Sequence, residues 1–478
     1  MYLGLDLGTS GLKGLLIDED QRPLAEATAP LTVSRPHDGW SEQAPDDWIV
    51  AAEQVLDALA ANADLSGLKG IGLSGHMHGA TMLDASDTPL WPCILWNDTR
   101  SAAQASEMDA EAEWRAISGN IVFPGFTAPK VEWMRAEHPE IFARIKTILL
   151  PKDYLRLWLT GEKVSEMSDA AGTSWLDTAE RDWSDTLLAT AGLERTAMPR
   201  LVEGSDVSGT LRPELASRWG IGPSVPVAGG AGDNAASAIG MGVVKNGKAF
   251  VSLGTSGVLF AACDDFQPDP DTAVHTFCHA LPEMWHQMGV ILAATDALNW
   301  WADMVGSDAA TLTSDLGPLQ APSRTLFLPY LGGERTPLNS AAVRGGFVGL
   351  DHATDRAAGT RAVLEGVAFA LADCRDALAD AGTEFETCIA VGGGSHSHYW
   401  LEAVATALEV PLDVPIGGDF GAAFGAARLG MMAAIGDTSM ATTPPMARSV
   451  LPNKALTHAF EDAHARYREA AHHMMELS

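Results

Sequence analysis

The chain opens on "MYLGLDLGTSGLKGLLID" (Met1–Asp18), and the turn at its centre, "LGTSG" (Leu7–Gly11), returns unchanged at Leu253–Gly257. A short apolar run precedes each copy, "MYLGLD" in the first and "KAFVSL" in the second. Apolar run, small polar turn and second apolar run read as strand, tight turn, strand. A turn of Gly, Thr and Ser sets backbone N–H groups and hydroxyls, Thr9 among them, side by side with little side chain in the way. Phosphate oxygens need that arrangement of donors. One such turn reads equally well as a plain β-hairpin. Two copies in matching contexts favour a pair of phosphate-gripping hairpins facing each other across a cleft. The copies differ in the residue before the Leu, which is Asp6 in the first and Ser252 in the second. A carboxylate at that strand end suits Mg²⁺ held, through water, against phosphates. Ser252 has no such charge, so one half is expected to hold metal and the other to grip nucleotide.

The order of elements repeats along with the turn. In the first half, "DDWIVAAEQVLDALAANA" (Asp46–Ala63) reads as an amphipathic helix and "LKGIGLSGHMHGATMLDA" (Leu68–Ala85) as strand, glycine turn, strand. In the second, "GKAFVSLGTSGVLFAAC" (Gly247–Cys263) is again strand, turn, strand. "DRAAGTRAVLEGVAFALADCRDALADAG" (Asp355–Gly382) is a long helix, and "TCIAVGGGSHSHYW" (Thr387–Trp400) a strand, a glycine turn and a helix start. A duplicated α/β domain follows, with the join near Gly240–Phe250: residues 1–244 form one domain and 245–478 the other. The tail from Thr457 reads as a closing helix whose four histidines, His458, His464, His472 and His473, form a solvated face without metal-ligand spacing.

At 478 residues the chain is too long for one ordinary core, and 46% hydrophobic against 19% charged residues excludes wholesale disorder. Its formal net charge of −31 repels phosphate backbones and anionic membrane surfaces, so neither nucleic acid nor membrane is an expected partner. Five cysteines without a CxxC pair suit a reducing compartment. The opening residues carry neither a basic nor an apolar leader pattern, and a cytoplasmic protein is expected.

Other stretches carry candidate chemistry. In "VPVAGGAGDNAASAIGMG" (Val225–Gly242), Asp233 and Asn234 follow a run of small residues that lets a ligand approach the backbone. Asp233 is suited to accept the proton of an attacking hydroxyl, and an N-cap role is compatible with that. In "GHMHG" (Gly75–Gly79), His76 and His78 share a face if the stretch is a strand. Zinc ligation lacks a third ligand there, sugar-hydroxyl bonding suits His78, and a structural role suits His76. In "ILWNDTR" (Ile94–Arg100), Trp96, Asn97 and Asp98 offer an aromatic face beside hydrogen-bonding groups, as a polyol pocket or a capped core would. Gly393, Gly394 and Ser397 in "GGGSHS" (Gly392–Ser397) make a phosphate or adenosine cradle at a helix start.

Taken in order, "DLGTSGLKG", "RPHDGWSEQ", "GHMHG", "WNDTR", "PGFTAPKVEW", "LLPKDYLRLWLTG", "SDAAGTSWLD", "GGAGDNAA", "SLGTSG", "FLPYLGGERTP", "LEGVAFAL" and "VGGGSHSHYW" resemble the FGGY carbohydrate kinases, and among them the xylulokinases. The likeness runs from Met1 to about Leu429. It implies two ribonuclease-H-like (actin-like) domains around an interdomain cleft, in which ATP with Mg²⁺ phosphorylates the 5-hydroxyl of D-xylulose. Carried onto this chain, the resemblance implies Asp233 as general base and Asp6 as the Mg²⁺ and phosphate-side carboxylate. It implies Met77 and His78 as sugar contacts, and Gly254, Thr255, Gly393 and Gly394 as the ATP grip, to which Thr9 and Ser397 are joined here. Trp96, Asn97, Asp98 and Asn234 complete the expected pocket. Members of the family are often homodimers. The chain departs from the usual pattern at Glu402, Phe420 and Phe424. A ribulokinase-like or other pentulose or polyol kinase, an actin-like ATPase switch and a glycosidase using Asp6 with Asp233 are the alternative readings.

Overall fold

Two seven-stranded sheets carry the structure, each built on one copy of the repeated hairpin. A computed structural model describes residues 1–314, 316–416 and 421–477; Phe420 lies outside them. In the first sheet Tyr2–Leu7 pairs antiparallel with Gly11–Ile17 and parallel with Gly70–Gly75. Pro23–Pro30 extends the hairpin side, and Pro226–Ala228 then Val207–Thr210 extend the other. The second sheet repeats the pattern. Lys248–Leu253 lies between antiparallel Gly257–Cys263 and parallel Thr387–Val391. Trp285–Ile291 and His275–Cys278 flank one side, Leu412–Pro415 and Met446–Val450 the other. A central strand covered on both faces must be apolar almost throughout. In Tyr2–Leu7 every residue except Asp6 is fully buried.

Register carries the repeat down to single residues. Asp6 pairs with Ser74, and Ser252 with Val391. The segments that follow these partner strands, "GHMHG" and "GGGSHS", therefore hold the same place in their respective sheets. Where the first half has His76, Met77 and His78 directly after Gly75, the second has three consecutive glycines, Gly392–Gly394.

Helix Pro45–Asn62 starts with Pro45 and the acidic pair Asp46 and Asp47, which suit a helix N-terminus, and buries Trp48, Ala52, Val55 and Leu59 along one stripe. Two other helices cross between the halves. Ala238 and Met241 of helix Asp233–Met241 join a core that includes Phe250, Phe260 and Ile389 of the second sheet. Conversely, Ala423, Phe424 and Ala427 of helix Ala422–Ile435 pack on Tyr2, Leu15 and Ile17 of the first. The expected cut at 244/245 thus separates the sheets, whereas a helix from the later segment lies on the earlier sheet. The crossing is tight: a Cβ at Gly425 would stand 1.7 Å from the Ala236 carbonyl oxygen. No described helix is long and apolar enough to cross a membrane.

The closing helix, Thr457–Glu476, corrects one expectation. His464 does not belong to a solvated face: its Nε2 lies 2.8 Å from Asp373 Oδ1 and its ring stacks on Phe369, with centroids 5.5 Å apart. His458, His472 and His473 are exposed, as expected.

Candidate active site

Strand Tyr2–Leu7 delivers Asp6 to the cleft edge of the first sheet, and helix Asp233–Met241 begins on Asp233. The two carboxylates are close enough for each charge to act on the other. Burial, reinforced by Asp6, pushes the Asp233 carboxyl up to about 7. Asp233 Oδ1 accepts the Asn234 backbone N–H at 2.7 Å and its side-chain amide at 3.2 Å. Asn234 therefore orients the carboxylate, and the N-cap reading is corrected: Gly232 is the cap, and Asp233 is the first residue of the helix, its Oδ1 turned to the adjacent N–H.

Met77 lies beside Gly232, the residue before Asp233, and His78 lies against Gly172. A Cβ at Gly232 would meet Met77 Cγ at 2.8 Å, and one at Gly172 would meet the His78 ring at 2.5 Å, so both side chains lie flat against glycines. His78 takes a left-handed conformation (φ 71°) after the strand ends at Gly75. For that reason His76 and His78 do not share a strand face. His76 is buried, edge-on to Trp48. The His78 ring stacks on Phe126 at 4.5 Å, and its Nδ1 lies 2.7 Å from the Gly172 carbonyl oxygen. Burial lowers its pKa to about 3, so the ring is neutral. A carbonyl only accepts, so Nδ1 carries the proton and Nε2 is left to accept from a hydroxyl.

The loop from Trp96 to Arg100 divides. Trp96 is 46% exposed and its Nε1 donates to Thr9 Oγ1 at 3.0 Å, tying the aromatic face to the first of the two repeated turns. Asn97 is partly buried beside it. Asp98 is placed elsewhere: it is buried, and its oxygens accept from Arg100 Nε (2.9 Å), Arg100 Nη2 (2.6 Å) and the Ser41 N–H (2.6 Å). Its carboxylate holds the loop together instead of facing the cleft.

In the second half the repeated turn is braced from behind. Gly254 O accepts both the N–H and the hydroxyl of Thr295 at 2.8 Å, and Thr255 O accepts the Ala294 N–H at 2.8 Å. Thr255 itself is exposed. Thr295 also lines a pocket of about 730 Å³ together with Asn299, Gly393, Gly394, Ser397 and Tyr399. Ser397 caps helix His398–Leu408 by accepting the Trp400 N–H at 3.3 Å. Gly394 packs on Leu253, bringing the glycine cradle against the second hairpin. Of the two departures within the described residues, Glu402 accepts from Asn453 Nδ2 at 2.9 Å, and Phe424 lies under the Arg428 guanidinium at 4.6 Å.

Several contributors had no role assigned from sequence. Phe126 and Gly172, which fix His78, lie in the quoted stretches "PGFTAPKVEW" and "SDAAGTSWLD". Gln43, at the end of "RPHDGWSEQ", donates to Thr9 O at 2.7 Å and so steadies the first turn. From the second half, Arg335 lies over the Phe123 ring at 4.7 Å with Nη1 3.3 Å from His275 Nε2.

Residues 1–240 match the N-terminal domain of the FGGY family of carbohydrate kinases, and residues 249–434 match its C-terminal domain. The chain belongs to this carbohydrate kinase family. Among its relatives, a protein named xylulose kinase from Escherichia coli is 45% identical, with all of both chains covered. Another of that name, from Klebsiella pneumoniae, is 48% identical over 85% of this chain and 84% of its own. Among solved structures, one titled a xyloylose kinase from Brucella ovis superposes on this kinase with a TM-score of 0.99 at 60% identity, both chains covered in full. The FGGY assignment accounts for the two sheets and for the cleft between them.

Proposed function

We propose that the protein transfers the γ-phosphoryl group of ATP to the 5-hydroxyl of D-xylulose, giving D-xylulose 5-phosphate and ADP. The observation that carries the reading is the Asp6–Asp233 pair, with Asp233 driven toward neutral pH; a neutral His78 in the same half and a glycine-lined pocket at Gly393 and Gly394 in the other support it. Full-length likeness to proteins named xylulose kinase supports the choice of sugar. Five buried, unpaired cysteines fit a reducing compartment, the cytoplasm.

The hydroxyl of the sugar gives its proton to Asp233 at Oδ2, the oxygen not committed to Asn234. Its oxygen then bonds to the γ-phosphorus as the bridging P–O bond to ADP breaks. A carboxylate with a pKa near the working pH is both available as a base and strong enough to be useful. His78 Nε2 accepts from a sugar hydroxyl, and Met77 supplies an apolar wall. Residues 1–244 thus act as the sugar half and 245–478 as the nucleotide half. A carboxylate facing phosphates fits Mg²⁺, which binds through one or two carboxylates and keeps several waters. Asp6 would hold it, and the ion would neutralise phosphate charge.

The test is ADP release from MgATP with D-xylulose, D-ribulose, L-ribulose, gluconate, glycerol or no sugar. Stimulation by D-xylulose above the others is expected, and Asp233→Ala should lower turnover by roughly 10²–10⁴. Preference for another sugar would reassign the substrate, and turnover indifferent to sugar would overturn the kinase reading.

A further inference from the structure

Behind Asp233 lie five ionisable side chains with no exposure to solvent: Lys152, Asp153, Arg156, Glu166 and Asp169. Lys152 Nζ stands 2.9 Å from Asp153 Oδ1, 3.2 Å from Glu166 Oε1 and 2.9 Å from Asp169 Oδ2, and Arg156 reaches Asp153 Oδ1 at 3.2 Å. Such a cluster is a poor way to stabilise a fold, because apolar residues of similar volume commonly do as well or better. Its purpose is legible in where its hydrogen bonds lead. Arg156 Nη1 donates to Ala228 O at 2.6 Å, and its Nη2 donates to Gly229 O at 2.5 Å. Glu166 Oε2 accepts from the Ser168 hydroxyl at 2.8 Å, and Ser168 Oγ accepts the Gly232 N–H at 3.1 Å. Both paths end on "AGGAG" (Ala228–Gly232), the segment that delivers Asp233. Three glycines and two alanines leave it almost no side chain with which to fix itself, and Gly230 sits at φ 79°.

We propose that this buried ionic cluster clamps the segment at both ends, and that Ser168 is a positioning residue acting on phosphoryl transfer through Asp233. The inference rests on Asp233 being the base. Displacing a reacting group by about 1 Å can cost on the order of 10² in rate, and the Ser168–Gly232 bond is the last link before that group. Lys152 extends the same hold to the sugar side, since its Cβ packs where a Cβ at Gly75 would come within 3.0 Å.

Steady-state kinetics with D-xylulose and MgATP on Ser168→Ala, Ser168→Thr, Asp233→Ala and the Ser168→Ala/Asp233→Ala double variant test the clamp. Ser168→Ala should lower kcat roughly tenfold or more with KM for MgATP unchanged, and Ser168→Thr, which keeps the acceptor oxygen, should retain most of the rate. In the Asp233→Ala background the Ser168 change should cost nothing further, because groups that act as one unit are not additive. Equal fractional losses in both backgrounds, or a wild-type kcat for Ser168→Ala, overturn the clamp. Near-normal turnover of Asp233→Ala alone overturns the base assignment instead, so the two failures are distinct. Melting curves establish that each variant is folded. Should Ser168→Ala not fold, Ser168→Cys, which fills the site but accepts hydrogen bonds weakly, takes its place with the same expectations.

Discussion

Asp233 carries a prediction in its own environment. Its carboxyl releases its proton at about 7 and not at the ordinary 3.8, first because it is buried and then because Asp6 is negative. The active form is the carboxylate. The acid limb of kcat/KM for D-xylulose should therefore rise through about pH 7, since kcat/KM reports the free enzyme. A limb below pH 5 would show that Asp233 is not the group being titrated. The two carboxylates were legible in sequence because a charge that ends an apolar strand or a glycine run has few structural uses. Asp98 was not: "WNDTR" reads the same for a sugar pocket and for a buried ion pair, and only the direction of the Arg100 guanidinium decides. Trp96 lies between these cases, with its ring exposed as a pocket wall would be and its N–H spent on Thr9.

Among the elements, both hairpins stand where the repeated turn placed them, at Tyr2–Ile17 and Lys248–Cys263. Hairpins are local, and their period and turn residues are written in consecutive positions. Where a strand stops was less legible. Whether "GHMHG" was extended, with His76 and His78 on one face, was left open by its sequence; the strand ends at Gly75 and His78 is left-handed, so they do not share one. Nor could local pattern show that helix Ala422–Ile435 packs on the first half's sheet and against helix Asp233–Met241, because an apolar stripe does not name its partner. What makes the crossing possible is Gly425, whose missing side chain admits the Ala236 carbonyl. Gly425→Ala would place a methyl 1.7 Å from that oxygen, against backbone that cannot rotate away. The variant should lose about 1–3 kcal/mol of stability by denaturant titration, the usual cost of overpacking. An unchanged midpoint would mean that the helices slide apart freely, and that the crossing does not fix the two halves.

The whole molecule presents a contradiction between its charge and its substrate: a chain of net charge −31 must draw an anionic nucleotide into a cleft. The acidic balance says nothing about the local field at the turns, which depends on which side chains the fold brings there. At about 10 mM ionic strength the screening length is roughly 30 Å, enough for the acidic surface to oppose MgATP at the cleft mouth. Near 150 mM it shrinks to about 8 Å, and distant carboxylates cease to matter. KM for MgATP should accordingly fall as sodium chloride is raised between these values, while KM for the uncharged ketose stays flat and serves as the internal control. The opposite slope, with MgATP binding weakened by salt, would mean that the turns and the Gly393–Gly394 cradle generate a positive local field strong enough to outweigh the acidic surface. The comparison thus separates attraction built into the two hairpins from repulsion spread over the rest of the surface.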